Sequence, residues 1–267
     1  MKLIQYWLLT GFFLTSAPAF AADASQWAID IRSAARLIAA PASKDASGLR
    51  AGVELRMDPG WHTYWRYPGD SGVPPRFDFY SSENLREAKV LYPAPHAFTD
   101  ESGTSIGYLE HVVFPVQVTA RDPKKPVRLK VQVNYAVCQK LCVPVEASLD
   151  LILGGTSGFD ERLKASEAKV PKSVTPQQAG LTVRRASGTS KPSVEFQVTG
   201  DKDTQVFVEG PTAEWALPIP KPAGDAKGRY SFALDGLPPG TDPKAPLDLT
   251  FTIVGADRAV EAKTHLD

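Results

Sequence analysis

The stretch Val133–Ala147, VNYAVCQKLCVPVEA, holds both cysteines of a 267-residue chain, with three residues between them. On its N-terminal side Val127, Leu129, Val131, Val133, Tyr135 and Val137 alternate with Arg128, Lys130, Gln132, Asn134, Ala136 and Cys138. On its C-terminal side Val143, Val145, Ala147, Leu149, Leu151 and Leu153 alternate with Cys142, Pro144, Glu146, Ser148 and Asp150. Side chains of a strand point alternately to opposite faces, so each flank is a strand with one apolar face and one polar face. Two such strands joined at Gln139–Lys140–Leu141 make an antiparallel hairpin. Both cysteines then lie on the face turned from the core, at facing strand ends where Cα separations suit a disulfide.

The same period-2 pattern, bounded by Gly, Pro, Asp and Ser, recurs toward the N-terminus. It predicts strands near Trp27–Ile38, Leu49–Met57, His62–Arg66, Arg76–Phe79, Ala88–Tyr92 and His111–Val118, and hence an all-β sandwich. Beyond residue 155 the pattern changes. A short helix is predicted over Asp160–Ala168 within a linker spanning 156–180, after which strand-like runs resume. Residues 181–267 read as a second, smaller β-sandwich-like domain without cysteines, ending in a hairpin that turns at Gly255–Ala256–Asp257. The expected organisation is a leader over 1–21, a cysteine-bearing sandwich over 22–155, the linker over 156–180 and the second domain over 181–267.

The leader reading rests on a basic Lys2, an apolar run from Leu3 to Leu14 and the small-x-small Ala19–Phe20–Ala21. The apolar run is shorter than the ~20 residues that span a bilayer. The chain is therefore expected in the periplasm, cleaved near Ala21 and not embedded in a membrane, in a compartment where disulfides persist. Thirty basic and thirty acidic residues balance. That neutrality favours neither nucleic acid nor an anionic surface as a partner.

Three readings of the cysteine pair stay open on these residues alone. As a staple the pair is weak, because closing so small a ring stabilises by only about 2 kcal/mol. As a soft-metal clip it needs a further ligand from His62, His96, His111 or His265, none at a distinguishing spacing, and only Met57 remains beyond the leader. As a reagent it exchanges disulfides through an outward-facing bridge. No phosphate-cradling Gly loop, H-E-x-x-H or serine elbow is present, and no cofactor is expected. Trp61, Trp65 and Tyr67 read as core and turn packing.

Three segments in this order, GWHTYWRYPGDSGVPPRF at 60–77, GTSIGYLEHVVFPVQV at 103–118 and NYAVCQKLCVPVEA at 134–147, resemble the periplasmic N-terminal domain of DsbD-type thiol:disulfide interchange proteins, stand-alone and ScsB-like versions included. The resemblance runs from Trp27 to Leu153. It implies an immunoglobulin-like sandwich with Cys138 and Cys142 as a disulfide-forming reactive pair, an electron donor in the membrane and periplasmic thioredoxin-fold proteins as acceptors. It also implies a mobile cap loop, matched by HAFTDESGTS at 96–105, with Phe98 as its aromatic and Asp100 or Glu101 as its acids. His62 and Tyr64 are implied neighbours of the pair. The spacing between the cysteines is shorter than in the best-known family member. The membrane-spanning and thioredoxin-like parts of the full-length reductase have no match here, so the donor is expected to be a separate protein. Residues 181–267 have no assigned counterpart at this level.

Overall fold

The computed structural model describes residues 22–41, 48–69, 72–100, 103–154, 158–186, 191–201, 203–224 and 227–267. The leader expected over 1–21 lies outside the described residues. Up to residue 154 the strands are β1 (Ala28–Asp30), β2 (Ser33–Ala40), β3 (Leu49–Met57), β4 (His62–Gly69), β5 (Arg76–Asp78), β6 (Leu85–Val90), β7 (His96–Asp100), β8 (Gly103–Leu109), β9 (His111–Ala120), β10 (Arg128–Cys138) and β11 (Cys142–Ile152). They form two sheets, one ordered β1-β2-β3-β9-β6 and the other β11-β10-β4-β8-β7, with β5 also paired to β10.

The two sheets face each other across one apolar core. In β10, Leu129, Val131, Val133, Tyr135 and Val137 are buried while Arg128, Gln132 and Asn134 are exposed, as alternation requires. From the opposite sheet Leu37, Val53, Leu55, Phe114 and Val116 meet them. Aromatic edges close one end of this core: Phe114 lies 5.3–5.4 Å from the rings of Phe77, Tyr92 and Tyr108, in T-shaped contacts.

Residues 158–180, expected as a linker around one helix, are packed. Helix α1 (Asp160–Glu167) lies on the outer face of the first sheet, its Leu163 fully buried against Ile38 and Val113. Gly52 permits this approach, because a Cβ there would sit 2.7 Å from the Leu163 Cδ2. Ion pairs flank the contact: Arg50 reaches both Glu167 (2.7 Å) and Asp160 (2.6 Å), and Arg162 reaches the fully buried Glu54 (2.6 Å). Strand β12 (Lys172–Val174) and the one-turn α2 (Pro176–Ala179) follow.

The second half contributes β13 (Leu181–Arg185), β14 (Ser193–Val198), β15 (Gln205–Glu209), β16 (Lys221–Pro222), β17 (Arg229–Ala233), β18 (Leu247–Val254) and β19 (Ala259–Leu266). One sheet is ordered β12-β19-β18-β15 and the other β13-β14-β17-β16. Their core gathers Phe196, Val208, Leu217, Phe251 and Ile253. The chain is thus all-β, an immunoglobulin-like sandwich followed by a second, smaller one. The hairpin expected at Gly255–Asp257 joins β18 to β19.

Candidate functional site

β10 and β11 run antiparallel in unbroken register from Arg128↔Ile152 to Cys138↔Cys142. The turn is Gln139–Lys140–Leu141, closed by the Gln139 N–H donating to the Leu141 carbonyl. At the last register position the cysteines form a disulfide, with Cα atoms 4.2 Å apart. Their side chains lie on the face turned from the main core, as alternation implied.

Exposure departs from that expectation for one of the two. Cys142 is exposed, but Cys138 is 2% exposed. The outward face is covered there: Cys138, Ala136 and Tyr64 form a small buried cluster of their own. β4 lies next to β10, with His62 opposite Cys138 and the Thr63 hydroxyl bonded to the Ala136 carbonyl at 2.8 Å. Tyr64, two residues along the same face, points its hydroxyl at the bridge, 2.9 Å from Cys138 Sγ and 3.3 Å from Cys142 Sγ. Gly72 backs the Tyr64 ring so closely that a Cβ there would lie 2.4 Å from Cε1.

The segment expected as a mobile cap loop is a hairpin. β7 pairs with β8 from His96↔Gly107 to Asp100↔Gly103, and β8 pairs with β4. The edge pairing is possible because Gly107, with no side chain, lets β8 approach β4. Phe98 stands on the same side of the sheet as His62, ring centroids 5.5 Å apart, and His62 meets Tyr64 edge-on at 5.4 Å. A row of rings, Phe98–His62–Tyr64, therefore leads to the sulfurs. Asp100 is at the hairpin end in backbone register only, and Glu101 lies outside the described residues.

Other sequence candidates are elsewhere. His111 bonds Glu54 at 2.9 Å, His265 bonds Asp248 at 2.7 Å, and Met57 is buried in the main core. Among the described residues no group of three or more His, Cys, Asp or Glu is placed to hold a metal. Trp65 is fully buried, while Trp61 and Tyr67 pack partly buried against the same core. The sequence reading missed Leu141, next to Cys142 in the turn, and Leu109, across β4 from the bridge and paired with His62; they are 72% and 49% exposed. An apolar side chain at a turn tip beside an exposed cysteine was the signal for Leu141.

Chemically the site is asymmetric. Cys142 is the exposed residue of the bridge, while Cys138 is buried and has the Tyr64 hydroxyl closer to its sulfur. The ring that closes is small, so opening it is expected to leave the sandwich intact. Reduction by a mild dithiol should preserve the β-sheet circular dichroism and lower Tm by no more than roughly 8 °C, the equivalent of about 2 kcal/mol. Loss of the β signal on reduction would assign the bridge a structural role.

An immunoglobulin-like sandwich that carries a redox-type cysteine pair on the end of one hairpin defines a class of protein. Residues 33–154 match the family model described as thiol:disulfide interchange protein DsbD, N-terminal. Among solved structures, the N-terminal periplasmic domain of ScsB from Proteus mirabilis aligns with 91% of this chain and 98% of its own, at 21% identity and a TM-score of 0.71. That likeness is one of fold, and it runs well past residue 155. The second sandwich thus has a structural counterpart that the sequence did not disclose. A structure named BspA_C_WT aligns at 7% identity with a TM-score of 0.16. No curated protein matches the chain.

Proposed function

We propose that the chain is a periplasmic thiol:disulfide interchange protein that takes electrons from a membrane electron-transfer partner and passes them to thioredoxin-fold proteins. The observation that carries the reading is the asymmetric bridge, in which Cys142 is an exposed residue and Cys138 a buried one beside Tyr64. The match of residues 33–154 to the interchange family model supports it. The periplasmic setting is supported by the family and by the leader read from the sequence.

In the reduced protein the Cys142 thiolate attacks a disulfide sulfur of the acceptor. That disulfide breaks, one acceptor sulfur leaves as a thiolate, and a mixed disulfide joins Cys142 to the other. The Cys138 thiolate then attacks Cys142 Sγ, the second acceptor thiolate leaves, and the Cys138–Cys142 bond re-forms. Two electrons have moved to the acceptor. A donor dithiol returns the protein to its reduced state by the same two exchanges in reverse, attacking Cys142 and releasing Cys138.

The order of events gives the test. Cys138→Ser removes the resolving thiol and should accumulate a covalent adduct between Cys142 and an oxidised thioredoxin-fold protein, seen on non-reducing gels and abolished by dithiothreitol. Cys142→Ser should give little or none. Adducts through Cys138 alone would reverse the assignment of the two sulfurs. Adducts through neither, with folding intact, would leave a structural hairpin staple.

A further inference from the structure

Nothing in the interchange steps uses residues 181–267, yet one strand of the second sandwich reaches the redox end of the first. In β15 the sequence QVFVE turns Val206 and Val208 into its own core. Gln205, Phe207 and Glu209 consequently project from the opposite face. Each of these meets a different part of the first sandwich. Phe207, 2% exposed, belongs to the main core of the first sandwich, 5.8 Å from the Trp65 ring. Glu209 accepts two bonds from the Arg66 guanidinium, at 2.8 and 2.7 Å. The Gln205 Oε1 accepts from the Ala97 N–H at 3.2 Å.

The last contact is placed with consequence. Ala97 is on β7, the outermost strand of its sheet, so this N–H faces away from the ladder. Edge strands are held by half the bonds of inner ones and open locally more readily. Its neighbour Phe98 begins the row of rings that ends with the Tyr64 hydroxyl on Cys138 Sγ. β15 also grips β4 through Arg66, two residues beyond Tyr64.

We propose that β15 of the second sandwich braces the redox site, with Gln205 as a positioning residue that holds β7 and so keeps the Phe98–His62–Tyr64 row closed against Cys138. The brace rests on the interchange reading for its purpose: it confines attack to Cys142 and keeps the second sulfur from adventitious thiols. The bond itself is a property of the folded chain and is measured without any partner.

The experiment uses the full oxidised chain and glutathione. One glutathione thiolate attacks a sulfur and the other cysteine leaves as a thiolate. A second glutathione then attacks the glutathione sulfur of the adduct, giving the dithiol and oxidised glutathione. Acid quenching of the first adduct followed by trypsin separates the two cysteines, because Lys140 lies between them. In the wild type the adduct is expected on Cys142. Losing one hydrogen bond of ordinary net strength makes the open form about fivefold more populated, so Gln205→Ala should raise attack at Cys138 by about fivefold. Hydrogen exchange in the peptide containing Ala97 should rise with it. Gln205→Glu keeps an acceptor oxygen and should restore the wild-type pattern. Unchanged attack at Cys138 in Gln205→Ala overturns the brace, and so does a Gln205→Glu variant as permissive as Gln205→Ala. If instead Cys138→Ser captures no thioredoxin-fold protein while Gln205→Ala behaves as expected, the interchange reading fails and the brace stands.

Discussion

Glu54→Gln is expected to lower stability by about 3 kcal/mol at neutral pH and to remove the part of the protein's acid sensitivity between pH about 4.5 and 2 that Glu54 supplies. Glu54 is fully buried on β3, with Arg36 at 2.7 Å, Arg162 at 2.6 Å and His111 at 2.9 Å. Burial pushes its carboxyl up, but hydrogen bonds from His111 and Arg36 and the charges of Arg36 and Arg162 outweigh burial and hold it at about 2. The folded value is below the unfolded one of 4.5. The ionised group therefore stabilises fully above pH about 4.5, and that contribution fades as pH falls through 2. The replacing amide has nearly the same shape and no charge, so it leaves two guanidinium groups without their counter-charge. Urea denaturation at pH 7 and pH 3 tests the argument. The difference between wild type and variant should shrink to less than half at the lower pH. A difference equal at both would mean that shape, and not charge, ties α1 to the first sheet.

How far the sequence disclosed this structure depended on where each segment's partners came from. β10 and β11 were legible because each has one face buried and one wet, so alternation alone gives register and turn. The exposure of Cys138 was not legible. Its face is covered by Tyr64 and by rings on β4 and β7, which are distant in sequence, and parity says nothing of what lies above a face. HAFTDESGTS read as a loop because small polar residues dominate it, yet β8 supplies the ladder that its composition does not advertise. In TPQQAG, at 175–180, the signal was present and passed over. Thr175 caps with Gln178 reciprocally, Pro176 opens the turn and Gly180, at φ 68°, closes it. Phe207 carried a comparable signal. A large apolar side chain between Gln205 and Glu209, on the face opposite Val206 and Val208, interrupts an otherwise polar face of β15, which is the mark of a strand covered there as well.

Trp65→Ala is expected to lower stability by about 4 kcal/mol, the cost of truncating a large buried aromatic, and Tm by roughly 8–16 °C. Trp65 is fully buried and is the largest side chain among the described residues to be so. It stands between two bodies: its own core on one side, and Phe207 at 5.8 Å with the Arg66 guanidinium at 4.5 Å from its centroid on the other. Part of the loss must then be shared with the second sandwich. Phe207→Ala alone should cost somewhat less, about 3 kcal/mol. Because the two rings pack on each other, the double variant should lose about 1 kcal/mol less than the sum of the single losses. Urea midpoints of the four proteins measure this coupling. A strictly additive double variant would show that Phe207 fills space beside Trp65 without binding to it, and that β15 is held to the first sandwich by Arg66, Glu209 and Gln205 alone. Coupling of the expected size would mean that the same tryptophan core supports both the strand carrying Tyr64 and the strand carrying Gln205, so that loosening it frees the sulfurs from both sides.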